Sequence, residues 1–199
     1  MRTTYFQKFF NLCALFFLTA ILSIMCTIFL SFIVNSLQEV IYLEFVYRFI
    51  SMIFGASLST SLISSIVFIL LLSIEIKSRK RKDRLSNLWK SIWQTLTMRS
   101  FLAQSERSEI VTTVEQGRVT HYNPIIQTFN KAVGKAVVDI RNDKTVLLIR
   151  VPTTQQATKI LKEMETLISE EISNRNPDYY FSQPERNGKW LYFVGTKRK

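Results

Sequence analysis

The sequence predicts a membrane α-helical hairpin joined to a small cytosolic α+β domain, an antiparallel sheet with two helices on one face. Two uncharged stretches, residues 9–37 and 49–74, each exceed the roughly 20 apolar residues that cross a bilayer. After about residue 105 the pattern changes to short β-branched runs, turn residues and amphipathic helices. We therefore expect a hairpin in residues 1–76 (spans about 9–34 and 49–74), a basic run and amphipathic helix in 77–104, and the cytosolic domain in 105–199.

The first apolar stretch is predicted to be a retained signal anchor. Its length is well beyond the roughly 7 to 15 residues of a cleaved signal peptide, the alternative interpretation, and no A-x-A-like site follows it. Cys13 and Cys26, the two cysteines of the chain, both lie in this stretch, which argues against a disulfide framework or a zinc cluster. Because neither span contains a charged residue, a proton relay or an ion pathway is not expected.

Charge on either side of the spans predicts the topology. Residues 1–100 hold 11 Lys and Arg against 4 Asp and Glu, and the remainder holds 15 against 11. Lys and Arg next to a span stay on the cytoplasmic side, so both termini of this multi-pass cell-membrane protein should be cytoplasmic. A basic run after the second span would also attract anionic lipid, and DNA near the membrane is the alternative ligand. The run comprises Lys77, Arg79, Lys80, Arg81, Lys82 and Arg84.

Small residues recur every fourth position on both spans and predict close helix packing in lipid. We expect the two helices to pack on each other, and the alternative is that one row faces a second subunit in a homo-oligomer. The first span carries Thr19, Ser23, Thr27 and Ser31; the second carries Ser57, Ser61 and Ser65 beside Ala56, Thr60 and Ser64.

The sequence predicts an amphipathic helix over residues 85–96, after the second span. Apolar positions Leu85, Leu88, Trp89, Ile92, Trp93 and Leu96 share a face, and Ser86, Asn87, Lys90, Ser91 and Gln94 lie opposite. Because Trp prefers the headgroup layer, we expect this helix to lie on the inner leaflet through Trp89 and Trp93. The alternative is a core helix of the cytosolic domain.

The cytosolic domain is predicted element by element. Residues 108–122 suggest a leading strand or hairpin, and a helix should follow the Asn123 cap and Pro124. Two strands flank the turn RNDK. A long helix should run from Pro152 to the Asn176-Pro177 stop, and a last hairpin should turn at Asn187-Gly188. The buried stripe of the long helix is predicted to comprise Ala157, Ile160, Leu161, Met164, Leu167, Ile168 and Ile172.

No catalytic, cofactor-binding or metal-binding residues are predicted. His121 is the sole histidine, so no Ser-His-Asp or Cys-His arrangement has a plausible partner. The five glycines form neither phosphate-binding nor dinucleotide-binding motif. We therefore expect a chain that is not an enzyme and has no cofactor.

Basic residues near aromatic strands are the candidate nucleic-acid contacts, since such combinations bind single strands. Because successive side chains of a strand point to opposite faces, about half of those aromatic residues should lie in the core. The net charge of residues 101–199 is also small. Any nucleic-acid binding should therefore be weak and non-specific. The candidate residues are Arg141, Lys144, Arg150, Arg186, Lys189, Lys197, Arg198 and Lys199.

Residues 137–199, above all the stretches NRNPDYYFS and GTKRK, resemble a segment of FtsK/SpoIIIE-type coupling proteins of Gram-positive conjugative elements. In that family two N-terminal helices anchor the protein, and a small domain precedes a DNA-pumping ATPase, to which the resemblance does not extend. It implies a non-enzymatic, membrane-anchored accessory of conjugative or plasmid DNA transfer or maintenance. The implied partner is a protein such as the transfer ATPase or a relaxosome component. The alternative is an oligomerising membrane effector or signalling protein of a mobile element.

Overall fold

The computed structural model describes residues 4–38, 41–80, 83–105 and 123–198 and divides the chain into two compact units, residues 1–81 and 82–199. Two long apolar helices form the first unit, and an antiparallel sheet with helices forms the second. The predicted fold class is confirmed at this level. The strand or hairpin predicted for residues 108–122 falls on positions outside the described residues.

The first unit is a pair of helices, α1 (Tyr5–Leu37) and α2 (Glu44–Lys80), with a 3-10 turn at Ile41–Leu43 before α2. Thr4 begins α1 through a capping box, in which its hydroxyl accepts the Gln7 N–H at 3.3 Å. Such reciprocal bonds satisfy amide groups that the first turn leaves unpaired. Both helices are long and apolar enough to cross a membrane.

Small polar residues bring α1 and α2 together. The hydroxyls of Thr27 and Ser57 lie 2.8 Å apart, and Ser57 also reaches the Ser23 carbonyl at 3.2 Å. Ser61 and Ser64 are buried as well, whereas Ala56 and Thr60 are exposed. One predicted row of α2 therefore packs against α1, and most of the neighbouring row faces away.

The sheet of the second unit has five strands, all paired antiparallel, in the order β1-β2-β5-β3, with β4 also paired to β5. The RNDK turn joins β1 and β2 as predicted, and Gly188 makes the last turn with φ +60°, where glycine avoids the Cβ clash. The strands are β1 (Val137–Ile140), β2 (Lys144–Arg150), β3 (Tyr179–Phe181), β4 (Glu185–Asn187) and β5 (Trp190–Lys197).

Four helices accompany this sheet: α3 (Leu85–Leu102), α4 (Pro124–Val133), α5 (Gln155–Glu163) and α6 (Glu165–Arg175). The Asn123 side chain caps α4 by accepting the Ile125 N–H at 3.0 Å, as the sequence predicted. The single long helix predicted after Pro152 was wrong, because α5 ends and α6 begins on either side of Met164. Leu167 was also wrongly assigned to the core: it is 49% exposed.

The main core lies between one sheet face and helices α3 to α6. Leu147, Ile149 and Phe193 contribute from the sheet, and Phe129, Leu161 and Ile168 are among the helix residues that meet them. Alternate strand residues Val146, Leu148 and Tyr192 form a smaller cluster on the other face. Burial of these apolar surfaces is the main force that holds the unit together.

Helix α3 belongs to the second unit. Its last turns place Met98 and Leu102 in the main core, and its length packs against β1. The compact unit comprises residues 82–199, whereas the sequence pattern predicted a separate segment at 77–104 and a cytosolic domain at 105–199.

Candidate functional site

The polar side of α3 covers the edge of the sheet. The Ser91 hydroxyl accepts the Ile140 N–H at 2.9 Å, and the Thr95 hydroxyl accepts the Val138 N–H at 3.0 Å. One turn further, Arg99 Nε donates to the Ala136 carbonyl at 2.8 Å. Edge strands otherwise present unpaired backbone groups to solvent, so α3 closes this edge with side chains.

The spacing of residues along α3 matches the spacing of alternate residues along β1. Residues four apart on a helix advance about 6 Å, and residues two apart on a strand advance nearly 7 Å. The hydroxyls of Ser91 and Thr95 each donate at 2.7 Å to the carbonyl four residues earlier in α3. Their lone pairs therefore remain to accept the strand N–H groups.

Further polar contacts fix the rotation of α3. Asn87 Nδ2 donates at 3.0 Å to the Asn142 side chain in the β1–β2 turn. Gln94 and Asn176 exchange two amide hydrogen bonds of 3.0 and 2.9 Å at the end of α6. Burial lowers the pKa of the Arg99 guanidinium, which nevertheless stays charged at neutral pH. The face that α3 turns toward the sheet is thereby determined.

The opposite side of α3 is an exposed apolar stripe, which we call the tryptophan stripe. Leu85, Trp89, Trp93 and Leu96 are 46%, 69%, 61% and 52% exposed. Exposed Arg84 and Lys90 lie beside it, and residues 85–102 include no Asp or Glu. Contiguous exposed apolar surface of this kind marks an interaction site.

The predicted lipid-contact residues differ in their exposure to solvent. Lys77, Lys80 and Arg84 are exposed, as are Trp89 and Trp93. Arg81 and Lys82 were also predicted to contact lipid, but they lie outside the described residues.

Arg79 was also predicted to contact lipid, but its environment differs from that of the exposed lysines. Its side chain is fully buried, and its Nε lies 2.6 Å from Glu75 Oε1. Its guanidinium stands 5.0 Å from the centroid of the Phe6 ring on α1. The carboxylate and the aromatic ring are two of its neighbours, and the side chain is not exposed as Lys77 and Lys80 are.

The predicted nucleic-acid residues do not form one surface. Lys144 lies beside Thr196 of β5, whereas Arg150 lies beside Trp190, so the two are separated by the length of β2, about 20 Å. Arg141 forms an ion pair with Asp139 at 3.1 Å. Near Lys144 lie Lys197 and Arg198; near Arg150 lie Arg186 and Lys189; Lys199 is outside the described residues.

In the described part of the chain, no three His, Cys, Asp or Glu residues group as a metal site. Glu163 and Glu171 form ion pairs along their helices, with Lys159 at 3.8 Å and Arg175 at 2.6 Å. His121 lies outside the described residues. The absence of catalytic, cofactor and metal residues stays a prediction.

Comparison with protein-family models, curated proteins and solved structures finds no match for this chain. The resemblance to FtsK/SpoIIIE-type coupling proteins therefore stays a prediction.

The edge-covering role of α3 was missed by sequence reasoning. Asn87 and Ser91 were assigned to a polar side only because they lie opposite the tryptophans, and Thr95 and Arg99 were not singled out. A signal was present, since these four residues follow one another at intervals of four. These hydroxyl, amide and guanidinium groups can all hydrogen-bond to backbone groups.

Proposed function

We propose that the chain is a non-enzymatic membrane-anchored adaptor whose second unit binds a protein partner. The observation that carries the proposal is the combination, in one chain, of two helices long enough to cross a membrane and a separate compact unit with its own core. The hairpin anchors the chain in the cell membrane with both termini in the cytoplasm. The positions of Lys77 and Lys80 after the second span support this orientation.

The far edge of the sheet is the surface we assign to the protein partner. Tyr180 on β3 is 68% exposed, and Leu167 on the adjoining helix α6 is 49% exposed. The exposed Tyr180 ring at this edge offers both apolar area and a hydrogen-bonding group, as protein interfaces require. Because Tyr179 and Phe181 pack into the core, Tyr180 lies on the sheet face away from α6 and Leu167. Apart from the tryptophan stripe, Tyr180 and Leu167 are the large exposed apolar residues of the second unit's described part.

The biological setting of the proposal comes from the sequence resemblance alone. It suggests an accessory role in conjugative or plasmid DNA transfer or maintenance, with a transfer ATPase or relaxosome component as partner. Separation of the basic residues into two groups supports contact with protein over sequence-specific contact with DNA.

Crosslinking in intact cells tests the adaptor proposal. The tagged full chain should yield the same protein partner with and without nuclease treatment. Tyr180→Ala should lose that partner, whereas Lys159→Ala, at an exposed site on α5, should retain it. Recovery that depends on nucleic acid, or that is equal for all variants, would reject the assigned surface.

A second candidate is a membrane effector that acts as an oligomer. It is favoured by small residues on the outward side of α2, where Gly55, Ala56, Ser59 and Thr60 are exposed and would let helices of other copies approach closely. Growth arrest on overexpression, relieved by Gly55→Leu, would favour the effector; normal growth would favour the adaptor.

A further inference from the structure

We propose that α3 docks the second unit on an anionic phospholipid surface, with the tryptophan stripe in the headgroup layer and the sheet standing away from it. The proposal deepens the adaptor function and rests on its membrane anchoring. It assigns two tasks to one helix: the polar side closes the β1 edge, and the apolar side binds lipid.

Helix α3 cannot turn its tryptophans into its own domain. Two hydrogen bonds from β1, one to the Ala136 carbonyl just before it, and the amide pair between Gln94 and Asn176 hold its polar side against the sheet. Rolling the helix inward would leave the buried Val138 and Ile140 N–H groups without acceptors. Trp89 and Trp93 therefore stay exposed and available to a surface outside the second unit.

The short connection between α2 and α3 keeps the tryptophan stripe within reach of the bilayer surface. Helix α2 ends at Lys80 and α3 begins at Leu85, so the two ends are separated by at most about 17 Å of extended chain. The apolar part of α2 ends at Ile74, and the six helical residues that follow rise only about 9 Å. A headgroup layer about 5 to 7 Å thick thus lies within reach of the stripe.

Charge and side-chain type agree with lipid. Trp is the residue most enriched at membrane interfaces, and the exposed cations Arg84 and Lys90 flank the stripe while α3 has no acidic residue. Anionic headgroups attract such cations. The tether adds a high local concentration, so the stripe does not need strong affinity of its own.

Docking through α3 also constrains the sheet. The hydroxyls that meet β1 lie on the polar side of α3 and the tryptophans lie on the other side, so the β1 edge would face away from the lipid.

Tryptophan fluorescence of the full chain in vesicles tests the proposal. The chain has three Trp residues, so Trp190→Phe leaves Trp89 and Trp93 as the reporters. In phosphatidylcholine–phosphatidylglycerol vesicles, lipids brominated near the headgroup should quench most of the emission, which should be blue-shifted and protected from aqueous acrylamide. Quenching should weaken in vesicles without phosphatidylglycerol. The matched control, Trp89→Phe with Trp93→Phe, keeps Trp190 and should show no quenching by lipid.

Two results would overturn the docking. Emission that acrylamide quenches freely would mean a solvent-exposed stripe, and blue-shifted emission indifferent to brominated lipid would mean that a second copy covers it. An alkaline wash of the vesicles separates these failures from failure of the anchor. A chain retained after the wash but not quenched by lipid refutes docking alone, whereas a chain released by the wash refutes the anchor and the docking together.

Discussion

Replacing Thr95 by Val should show how much the closed sheet edge contributes to stability. The change keeps the side-chain shape but removes the oxygen that accepts the Val138 N–H at 3.0 Å. Thr95 and Val138 are both fully buried, so water cannot replace the lost acceptor. An unsatisfied buried amide costs about 1 to 3 kcal/mol. At about 4 °C per kcal/mol for a unit of this length, a loss of 2 kcal/mol lowers the melting temperature by about 8 °C.

The same helix offers a matched control. Thr97 is partly exposed and its hydroxyl donates only to carbonyls of its own helix, Trp93 at 3.1 Å and Gln94 at 3.2 Å. Thr97→Val should therefore change stability by no more than about 0.5 kcal/mol.

Urea denaturation of a soluble 82–199 fragment would measure both free energies of unfolding. Amide hydrogen exchange would add a local measure, since Thr95→Val should speed exchange at Val138 more than at Ile140, whose acceptor is Ser91. Equal costs for the two Thr→Val changes, or unchanged exchange at Val138, would refute the edge-covering contact.

Four further predictions follow from the anchor and the core. Reporter fusions before α1, between α1 and α2, and after α2 should report inside, outside and inside; a cytoplasmic signal between the helices would contradict the hairpin topology. In the soluble fragment, Leu161→Asp should abolish the cooperative thermal transition by burying a charge, whereas Glu163→Gln, at an exposed position, should keep it. Gly195→Ala should lower the melting temperature, because the new methyl carbon would lie 2.8 Å from the Phe181 ring; an unchanged value would contradict that close contact. Burial raises the pKa of Tyr179, so the folded state retains a proton that the unfolded chain loses above about pH 10. The stability that depends on this proton is complete below that pH and is lost as the pH rises through the raised pKa. The free energy of unfolding of Tyr179→Phe should therefore fall less at alkaline pH than that of the unchanged fragment.

Local features of the sequence were enough to predict most elements. The two apolar stretches, the Asn123 cap and the RNDK and Asn187-Gly188 turns each depend on a few neighbouring residues, so they could be recognised without knowledge of the rest of the fold. The prediction of one long helix after Pro152 failed because no Pro or Gly marks the interruption at Met164.

Contacts between distant parts of the chain decided the candidate site. Helical periodicity showed that the tryptophans of α3 share a face, but it could not show that the opposite face meets a strand edge some 40 residues later. It also counted Arg79 as a surface cation, whereas its side chain is buried beside Phe6 and Glu75. Composition and period determine which side chains lie together on an element, and only tertiary packing determines which of those faces is covered and by what.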